Sequence, residues 1–319
     1  MALIDIPAAL DRAWADNDHV LPLTRSTRLA IFSDIHRGTG GAADDFKHNS
    51  RVFVRALDHY LKGGFTYVEL GDGDELYENR RWVDIVRTYP AIFERLQKFQ
   101  ADGRLCYILG NHNHPLANPV RLRRSLDQVR LWFPGFLSGL AIRRTARLGE
   151  RIFLFHGQQA DILSRPFFEP VGHLLVGSMW KFLQAGFGLP DPTSAAQNVR
   201  KKTRLEEGCL EWARHHGRVA VFGHTHRPLF MSLSLQQRLD RQKEKPYLFN
   251  PGSGVHPECV TGLEIRDLAI SLVKWTAPAG GSTAGAKRQV LLRKSLKSVL
   301  ARLEPPVTAG TKPTRKNKP

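Results

Sequence analysis

The sequence contains few cysteines and no long apolar run. Its three cysteines among 319 residues, Cys106, Cys209 and Cys259, are too few for a disulfide scaffold or a four-cysteine zinc site. They fit a reducing compartment, so we expect a cytoplasmic location. The N terminus has no basic region before an apolar stretch, which argues against a secretory signal. The most apolar stretch, residues 171–189, contains a histidine, a lysine and four glycines and is therefore a poor membrane-spanning helix.

Acidic residues are scarce relative to basic ones. The chain has 30 Asp and Glu residues against 47 Lys and Arg residues, which gives a formal net charge of +17. Ten basic residues and one acidic residue lie between Lys287 and Pro319, so this segment carries +9 and the residues before it carry +8. Such an excess is typical of proteins that bind nucleic acid or anionic membranes. Here that inference applies first to the C-terminal segment, which we predict to be a tether to an anionic surface.

The first half of the chain alternates between strand and helix patterns, and its 42% apolar content suits a globular core. Short apolar runs predict strands over Thr27–Phe32, Phe65–Leu70 and Leu105–Leu109. Apolar residues at helical spacing predict a helix over Ser50–Lys62 and another over Arg81–Ala101, which Pro90 kinks or splits. This order predicts an α/β fold in which helices cover a sheet.

The second half predicts further strands, a helical insertion and a basic tail. The strands are predicted over Arg151–Phe155, Arg218–Phe222, Lys245–Phe249 and, as a single last strand, Leu263–Lys274. Residues 161–217 are interpreted as a helical insertion. We assign residues 1–276 to one domain that includes this insertion and residues 277–319 to a disordered basic tail, with one short amphipathic helix around Val290–Leu303.

Residues that bind metals follow five of the predicted strands. They are Asp34 and His36, then Asp72, then Asn111 and His112, then His156, and finally His224 and His226. Loops at strand ends are where α/β folds place functional residues. A lone loop histidine is usually a surface residue, but that explanation does not account for such a set after five strands. The sequence therefore predicts a metal site.

The residue types indicate the chemistry of this site. Two divalent cations about 3.5–4 Å apart can clamp a phosphate and activate a water molecule between them. Mixed imidazole and carboxylate ligands favour Mn, Fe or Zn, whereas an oxygen-only set favours Mg or Ca. The sequence has no Gly-x-Ser-x-Gly elbow and no P-loop, so we expect no protein nucleophile.

Five short motifs in the chain resemble those of the calcineurin-like metallophosphoesterase superfamily. They are Ser33-Asp34-Ile35-His36, Gly71-Asp72-Gly73-Asp74-Glu75, Gly110-Asn111-His112-Asn113, His156-Gly157 and Gly223-His224-Thr225-His226. Each motif alone is weak, but all five occur in the family's order within residues 27–255. The resemblance implies a two-sheet sandwich flanked by helices. It also implies hydrolysis of a phosphodiester, phosphomonoester or diphosphate bond by a metal-bridging hydroxide.

The resemblance further implies a role for each matching residue. The ligands of the first metal would be Asp34, His36 and His226. The ligands of the second metal would be Asn111, His156 and His224. Asp72 would bridge the two ions, which we expect to be Mn, Fe or Zn. His112 would be the catalytic, non-ligand histidine that stabilises charge at the phosphate or protonates the leaving oxygen.

One position departs from the family pattern. The family usually carries Asp or Glu after Gly-Asn-His, and this sequence has Asn113. A carboxylate there would orient the His112 imidazole and favour its protonated form, whereas an amide adds no charge. We therefore expect a lower pKa of His112 than in relatives with Asp. Asp74 and Glu75 are interpreted as helix-cap carboxylates or as supporting carboxylates beside the site.

The substrate is less well defined by the sequence. Glu75 and the insertion after His156 are similar to features of the branch that contains UDP-2,3-diacylglucosamine pyrophosphatases. That branch usually carries Arg at the position of His112, so the chain looks more like the broader phosphodiesterase or phosphatase group. The insertion is either a helical cap or an apolar lid for an acyl chain or membrane surface, with basic residues at 200–204 near the head groups.

Three functions are weighed. We favour a dinuclear metal-dependent phosphoesterase with a phosphate-ester substrate and peripheral contact with an anionic membrane. The alternative enzyme is a nuclease, which the +17 charge supports, although no nucleic-acid-binding motif is present. The third alternative is a non-catalytic, metal-stabilised binding module, and the complete set of seven predicted ligands argues against it. The sequence predicts neither the oligomeric state nor the substrate-binding residues.

Overall fold

The computed structural model describes residues 5–17, 19–158, 199–278 and 285–306. Residues 159–198, which hold most of the predicted insertion and its aromatic lid, lie outside this part of the chain, as do residues 307–319. The described strands are β1 (Val20–Leu21), β2 (Leu29–Phe32), β3 (Thr66–Leu70), β4 (Leu105–Ile108), β5 (Ile142–Arg143), β6 (Thr145–Leu148), β7 (Ile152–Phe155), β8 (Val219–Phe222), β9 (Leu248–Phe249), β10 (Cys259–Arg266), β11 (Ala269–Thr276) and β12 (Lys287–Ser295). The described α-helices are α1 (Ile6–Ala15), α2 (Ser50–Lys62), α3 (Trp82–Thr88), α4 (Pro90–Ala101), α5 (Pro119–Arg130), α6 (Val199–His215), α7 (Leu235–Leu239) and α8 (Leu296–Ala301).

The strands form two sheets. One sheet has seven strands in the order β12-β11-β10-β2-β3-β4-β5, and the other has five strands in the order β1-β6-β7-β8-β9. Strands β2, β3 and β4 are parallel to one another, and so are β7, β8 and β9. Parallel strands end at the same edge of a sheet, so each sheet gathers several carboxyl-terminal loops at one edge.

Side chains alternate between the two faces of the seven-stranded sheet. Ile31 and Val68 pack with Phe155 and other residues of the five-stranded sheet in one core. Phe32 and its neighbours on the opposite face pack in a second core with α2, α3, α4 and α5. This is the period of two that a sheet with two covered faces requires. The predicted two-sheet sandwich flanked by helices is therefore confirmed.

Helix α6 belongs to the main core. It lies within the predicted insertion, packs against α1 and buries Leu205, Cys209 and Trp212 in the core that the five-stranded sheet shares. The Trp212 ring lies 5.4 Å from the Phe153 ring between centroids. The last part of the predicted insertion is thus integral to the fold. Among the described residues, no helix is long and apolar enough to cross a membrane.

The helical predictions in the first half are confirmed. Helix α2 has the predicted bounds, and its buried face contains Phe53, Ala56, Leu57 and Tyr60. The long pattern over residues 81–101 is split into α3 and α4, and Pro90 is the first residue of α4. Proline is tolerated there because the first helical residue needs no amide donor.

The single last strand predicted over residues 263–274 is wrong. Strands β10 and β11 form an antiparallel hairpin in this region. Asp267 and Leu268 connect them with φ angles of 53° and 52°, the left-handed conformation of a two-residue hairpin turn. The sequence pattern did not indicate this turn because it contains no glycine and interrupts the apolar alternation only briefly.

The disordered tail predicted from residue 277 is also wrong for residues 285–306. Strand β12 pairs antiparallel with β11, and α8 buries Leu296 and Val299. The amphipathic helix predicted around residues 290–303 is therefore a strand followed by a shorter helix. The prediction of disorder followed from the basic composition of this segment. The charged side chains of an edge strand can remain at the surface while its backbone completes a sheet.

Arg288 on β12 compensates a buried charge. The carboxylate of Glu264 is 3% exposed and accepts hydrogen bonds from Arg288 Nε at 2.7 Å and from Tyr60 Oη at 2.7 Å. We expect Arg288→Ala to lower the free energy of unfolding by about 1–3 kcal/mol, since Glu264 loses its cation. Arg293→Ala, on the same strand but exposed, should change it by less than about 0.5 kcal/mol. Urea denaturation measures both, and equal losses would contradict this role.

Candidate metal centre

The predicted site residues converge where the carboxyl ends of the two sheets meet. Asp34 and His36 follow β2, Asp72 follows β3, and Asn111 and His112 follow β4. The five-stranded sheet supplies His156 after β7, and His224 and His226 after β8. The sandwich therefore brings together loops that are far apart in the sequence.

The first group contains Asp34, His36 and His226. One ligand atom from each of these residues lies within 4.8 Å of the others. The Nε2 atoms of His36 and His226 are 3.1 Å apart, and His226 Nε2 is 3.1 Å from Asp34 Oδ1. Two imidazoles and a carboxylate at this spacing could hold one divalent ion.

The second group contains Asp72, His156 and His224, whose ligand atoms also lie within 4.8 Å of one another. His156 donates from Nδ1 to the Leu70 carbonyl at 2.9 Å, which leaves Nε2 as its ligand atom. Asp72 Oδ2 lies 2.9 Å from His156 Nε2 and 4.0 Å from His36 Nε2. This carboxylate oxygen therefore stands between the two groups.

Asn111 offers a further ligand atom. Its side-chain Oδ1 is buried and accepts no hydrogen bond within the described part of the chain. A buried carbonyl oxygen without a partner is costly, and a cation would satisfy it. The donors present, imidazole nitrogens together with carboxylate and amide oxygens, fit first-row divalent ions.

Opposite charges stabilise one another at the centre. Burial raises the pKa of Asp34, but the imidazoles of His226 and His156 outweigh it and lower that pKa to about 2. Burial lowers the pKa of His36, but the hydrogen bond and charge of Glu75 outweigh it and raise that pKa to about 9. Burial likewise opposes ionisation of Asp72, and His156 and His112 more than compensate, so its pKa is lowered. The aspartates are therefore ionised and available to cations.

The backbone at the centre is strained. Asp34, His36, Asp72, His224 and His226 all have positive φ angles, between 50° and 67°. This conformation costs non-glycine residues roughly 1–3 kcal/mol each and persists only where the surroundings enforce it. Here neighbouring loops do so, since Asp34 N donates to the Gly71 carbonyl at 3.1 Å and His36 N to the Asp72 carbonyl at 2.9 Å. The strain aims the side chains at one point.

Two glycines allow the loops to approach the centre. A Cβ at Gly110 would lie 2.0 Å from Asp72 Oδ1, and one at Gly223 would lie 1.9 Å from Ser33 Oγ. Neither distance is compatible with a side chain. Asp72 Oδ1 instead accepts a hydrogen bond from the His112 amide at 2.8 Å, which fixes its carboxylate.

Glu75 supplies the carboxylate that the sequence analysis sought at position 113. Its Oε2 lies 2.8 Å from His36 Nδ1 and 2.6 Å from His112 Nδ1. Burial lowers the pKa of His112, but Glu75 and Asp72 outweigh it and the pKa is raised. The lower pKa expected for His112 than in relatives with Asp stays a prediction, but Glu75 supplies a carboxylate partner from a different loop. Glu75 thus contacts both imidazoles from the position expected of a supporting carboxylate.

Asn113 has a structural role. It is fully buried, and its Oδ1 accepts a hydrogen bond from the Gly110 amide at 2.7 Å. Its Nδ2 donates to Tyr107 Oη at 3.4 Å. Asn113 thus closes the loop that carries Asn111.

A fully buried ion-pair network lies beside the centre. Arg37 Nε donates to Asp74 Oδ1 at 2.7 Å, and Arg37 Nη1 donates to Glu69 Oε2 at 3.0 Å. Asp74 Oδ2 also accepts hydrogen bonds from Trp82 and Tyr107. The Arg37 amide donates to the Gly73 carbonyl at 2.9 Å, so this network holds the loop after β2 against the loop after β3.

Two residues outside the predicted site support the His224–His226 loop. Asn250 donates from Nδ2 to the Gly223 carbonyl at 3.0 Å and to Thr225 Oγ1 at 3.1 Å. His256 Nε2 donates to the His226 carbonyl at 3.0 Å. The position of Asn250 directly after strand β9 was the one available signal, whereas nothing in the sequence indicated His256.

Comparison with known proteins identifies the family. The sequence profile described as calcineurin-like phosphoesterase matches residues 27–228. This chain belongs to the calcineurin-like phosphoesterase family. The resemblance inferred from the five motifs is therefore confirmed, and membership supports phosphoester hydrolysis in general terms. No curated protein matches the chain significantly.

Solved structures show weaker similarity. A predicted phosphoesterase from Streptococcus pneumoniae has 14% identity and a TM-score of 0.28, over 84% of this chain and 99% of that one. A single mutant of Vps29 from Entamoeba histolytica has 15% identity and a TM-score of 0.34, over 83% of this chain and 100% of that one. The family assignment rests on the sequence profile and not on these similarities.

The close approach at Gly110 can be tested. We expect Gly110→Ala to displace the Asp72 carboxylate and to weaken Mn²⁺ binding at least about tenfold, the effect typical of losing a ligand's support. A Cβ at Gly41 would meet nothing within 4 Å, so Gly41→Ala is the matched control. Calorimetric titration of the metal-stripped proteins measures both. Unchanged affinity in Gly110→Ala would contradict this packing.

Proposed function

We propose that this protein is a dinuclear metal-dependent phosphoesterase that cleaves a phosphodiester, phosphomonoester or diphosphate bond. The observation that carries the proposal is Asp72 Oδ2, which lies between two groups of potential ligands, 2.9 Å from His156 and 4.0 Å from His36. A carboxylate in that position can bridge two ions. The unsatisfied Oδ1 of Asn111 supports the second of the two sites.

The proposed ligands follow from the two groups. Asp34, His36 and His226 would hold one ion, and Asn111, His156 and His224 the other, with Asp72 shared. Such a donor set favours Mn, Fe or Zn. Bound ions would supply Lewis acidity toward the phosphate and make a water molecule more acidic.

His112 is the proposed catalytic residue of the protein itself. Glu75 holds its Nδ1 atom at 2.6 Å, which leaves Nε2 available to a phosphate or leaving-group oxygen. Burial lowers the pKa of His112, but the charges of Glu75 and Asp72 outweigh it and favour the protonated imidazole. A protonated imidazole can stabilise negative charge on the phosphate or donate a proton to the leaving oxygen.

The binding-module alternative loses its main support. Asn113 was the one departure from the family pattern, and its amide serves the backbone of the Gly110 loop. Glu75 provides a carboxylate partner for His112, which supports a catalytic role for this histidine. The nuclease alternative is retained as one arm of a substrate panel that contains a phosphodiester, a phosphomonoester, a sugar-nucleotide diphosphate and single-stranded DNA.

The proposal predicts the effect of Asp72→Asn. Loss of the bridging charge should remove several kcal/mol of transition-state stabilisation, which corresponds to a loss of about 1,000-fold or more in kcat/KM. Asp102→Asn, at an exposed position after α4, is the matched control and should retain full activity. The panel is assayed with protein reloaded with Mn²⁺, Zn²⁺ or Mg²⁺. Activity that survives Asp72→Asn would refute the proposal.

Glu75→Gln is predicted to impair both histidines that Glu75 contacts. An amide nitrogen facing the two Nδ1 atoms would favour the tautomers that carry the proton on Nε2, the nitrogen that His36 needs for a metal. We expect metal affinity and kcat/KM each to fall about 10–100-fold. Glu94→Gln, at an exposed position on α4, is the control. If Glu75→Gln matched the control in metal titration and in kcat/KM, the supporting role would be wrong.

A further inference from the structure

An exposed surface next to the candidate metal centre combines apolar and basic side chains. We name it the α5 face and define it by Val120, Leu131, Trp132 and the arginines Arg121, Arg123 and Arg124. Helix α5 follows the loop of Asn111 and His112, with a short 3₁₀ turn over His114–Ala117 between them. A single short turn therefore connects the α5 face to this loop.

The apolar residues of the α5 face are unusually exposed. Leu131 is 82% exposed, Val120 68% and Trp132 57%. Val120 and Leu131, about three helical turns apart, line one shallow surface hollow of about 420 Å³. Its other lining residues are Arg123, Arg124, Asp127 and Gln128. A group of large exposed apolar side chains on a surface marks an interaction site for a protein or a membrane.

The charge of the α5 face is predominantly positive. Arg121, Arg123 and Arg124 are exposed and form no ion pair with a described residue. The one carboxylate on this helix, Asp127, already pairs with Arg130 at 3.6 Å. The face continues onto the neighbouring α3, where the guanidinium of Arg87 lies 3.5 Å from the centroid of the Trp132 ring.

We propose that the α5 face docks on the surface of a lipid bilayer that contains anionic head groups. Arginines attract anionic lipids, while leucine, valine and tryptophan insert at the boundary between head groups and acyl chains. Phosphates of a nucleic acid would match the arginines equally well but would leave the apolar residues without a partner. The proposal concerns this surface alone and does not depend on the hydrolytic activity.

Vesicle sedimentation with the full-length protein tests the proposal. Wild-type protein should bind vesicles of phosphatidylcholine with phosphatidylglycerol and should bind pure phosphatidylcholine much more weakly. Each arginine near an anionic surface contributes roughly a fivefold increase in binding, so Arg123→Glu with Arg124→Glu should lower the partition coefficient by at least roughly 25-fold. Leu131→Ser with Trp132→Ser should lower it at least about tenfold, without changing the charge.

Matched control variants distinguish binding through the α5 face from nonspecific binding to vesicles. Leu239→Ser replaces another leucine that is 76% exposed, on α7, and Arg51→Glu with Arg55→Glu reverses two exposed charges on α2. Both should change vesicle binding by less than about twofold. All replaced side chains are exposed, and thermal unfolding checks that each variant folds. If a double variant failed to fold, Leu131→Ser and Arg124→Glu alone would provide the same comparison.

Three results would overturn the proposal. One is the absence of binding to anionic vesicles at low salt. Another is a pattern in which the charge reversal abolishes binding to vesicles and to single-stranded DNA, whereas the serine variants bind both as the wild type does. The surface would then be a general polyanion site. The last is a stable dimer that Leu131→Ser dissociates and that does not bind vesicles, because the face would then be an interface between copies of this chain.

Discussion

The structure depends on the burial of three carboxylates, those of Asp34, Asp72 and Glu75, at the edge where the two sheets meet. Carboxylates this close together repel one another, and they remain ionised only because positive charge lies among them. That charge comes from His36, His112 and His156, whose pKa values the neighbouring carboxylates raise in spite of burial. A site that stabilises cationic side chains so strongly is suited to divalent ions as well.

Strained and closely packed loops hold these carboxylates in place. Five of the predicted ligands have a left-handed backbone conformation, and two glycines permit contacts that no side chain would allow. The buried pairs of Arg37 with Glu69 and Asp74 connect the loops that carry these residues. Because breaking a buried pair leaves an uncompensated charge, this network keeps the strained loops in place.

Features that depend on residue type and order could be predicted from the sequence. Contacts between distant parts of the chain could not. The five motifs, the helix over residues 50–62 and the split at Pro90 follow from local patterns. The partner of His112 could not be predicted, because Asn113 is its neighbour in sequence while Glu75 reaches it from another loop. Strand β12 was missed because its pairing with β11 depends on tertiary contacts that its basic composition conceals. The role of Asn250 depends on hydrogen bonds to the loop after β8, which a local sequence pattern does not predict.

Asp72 is proposed to bridge two ions. The most direct measurement is anomalous diffraction from crystals of the protein loaded with Mn²⁺ or Zn²⁺. Two peaks about 3.5–4 Å apart are predicted, with Asp72 Oδ2 between them and Asn111 Oδ1 bound to the ion near His156. A single peak, or two peaks of which Asp72 contacts only one, would contradict the account.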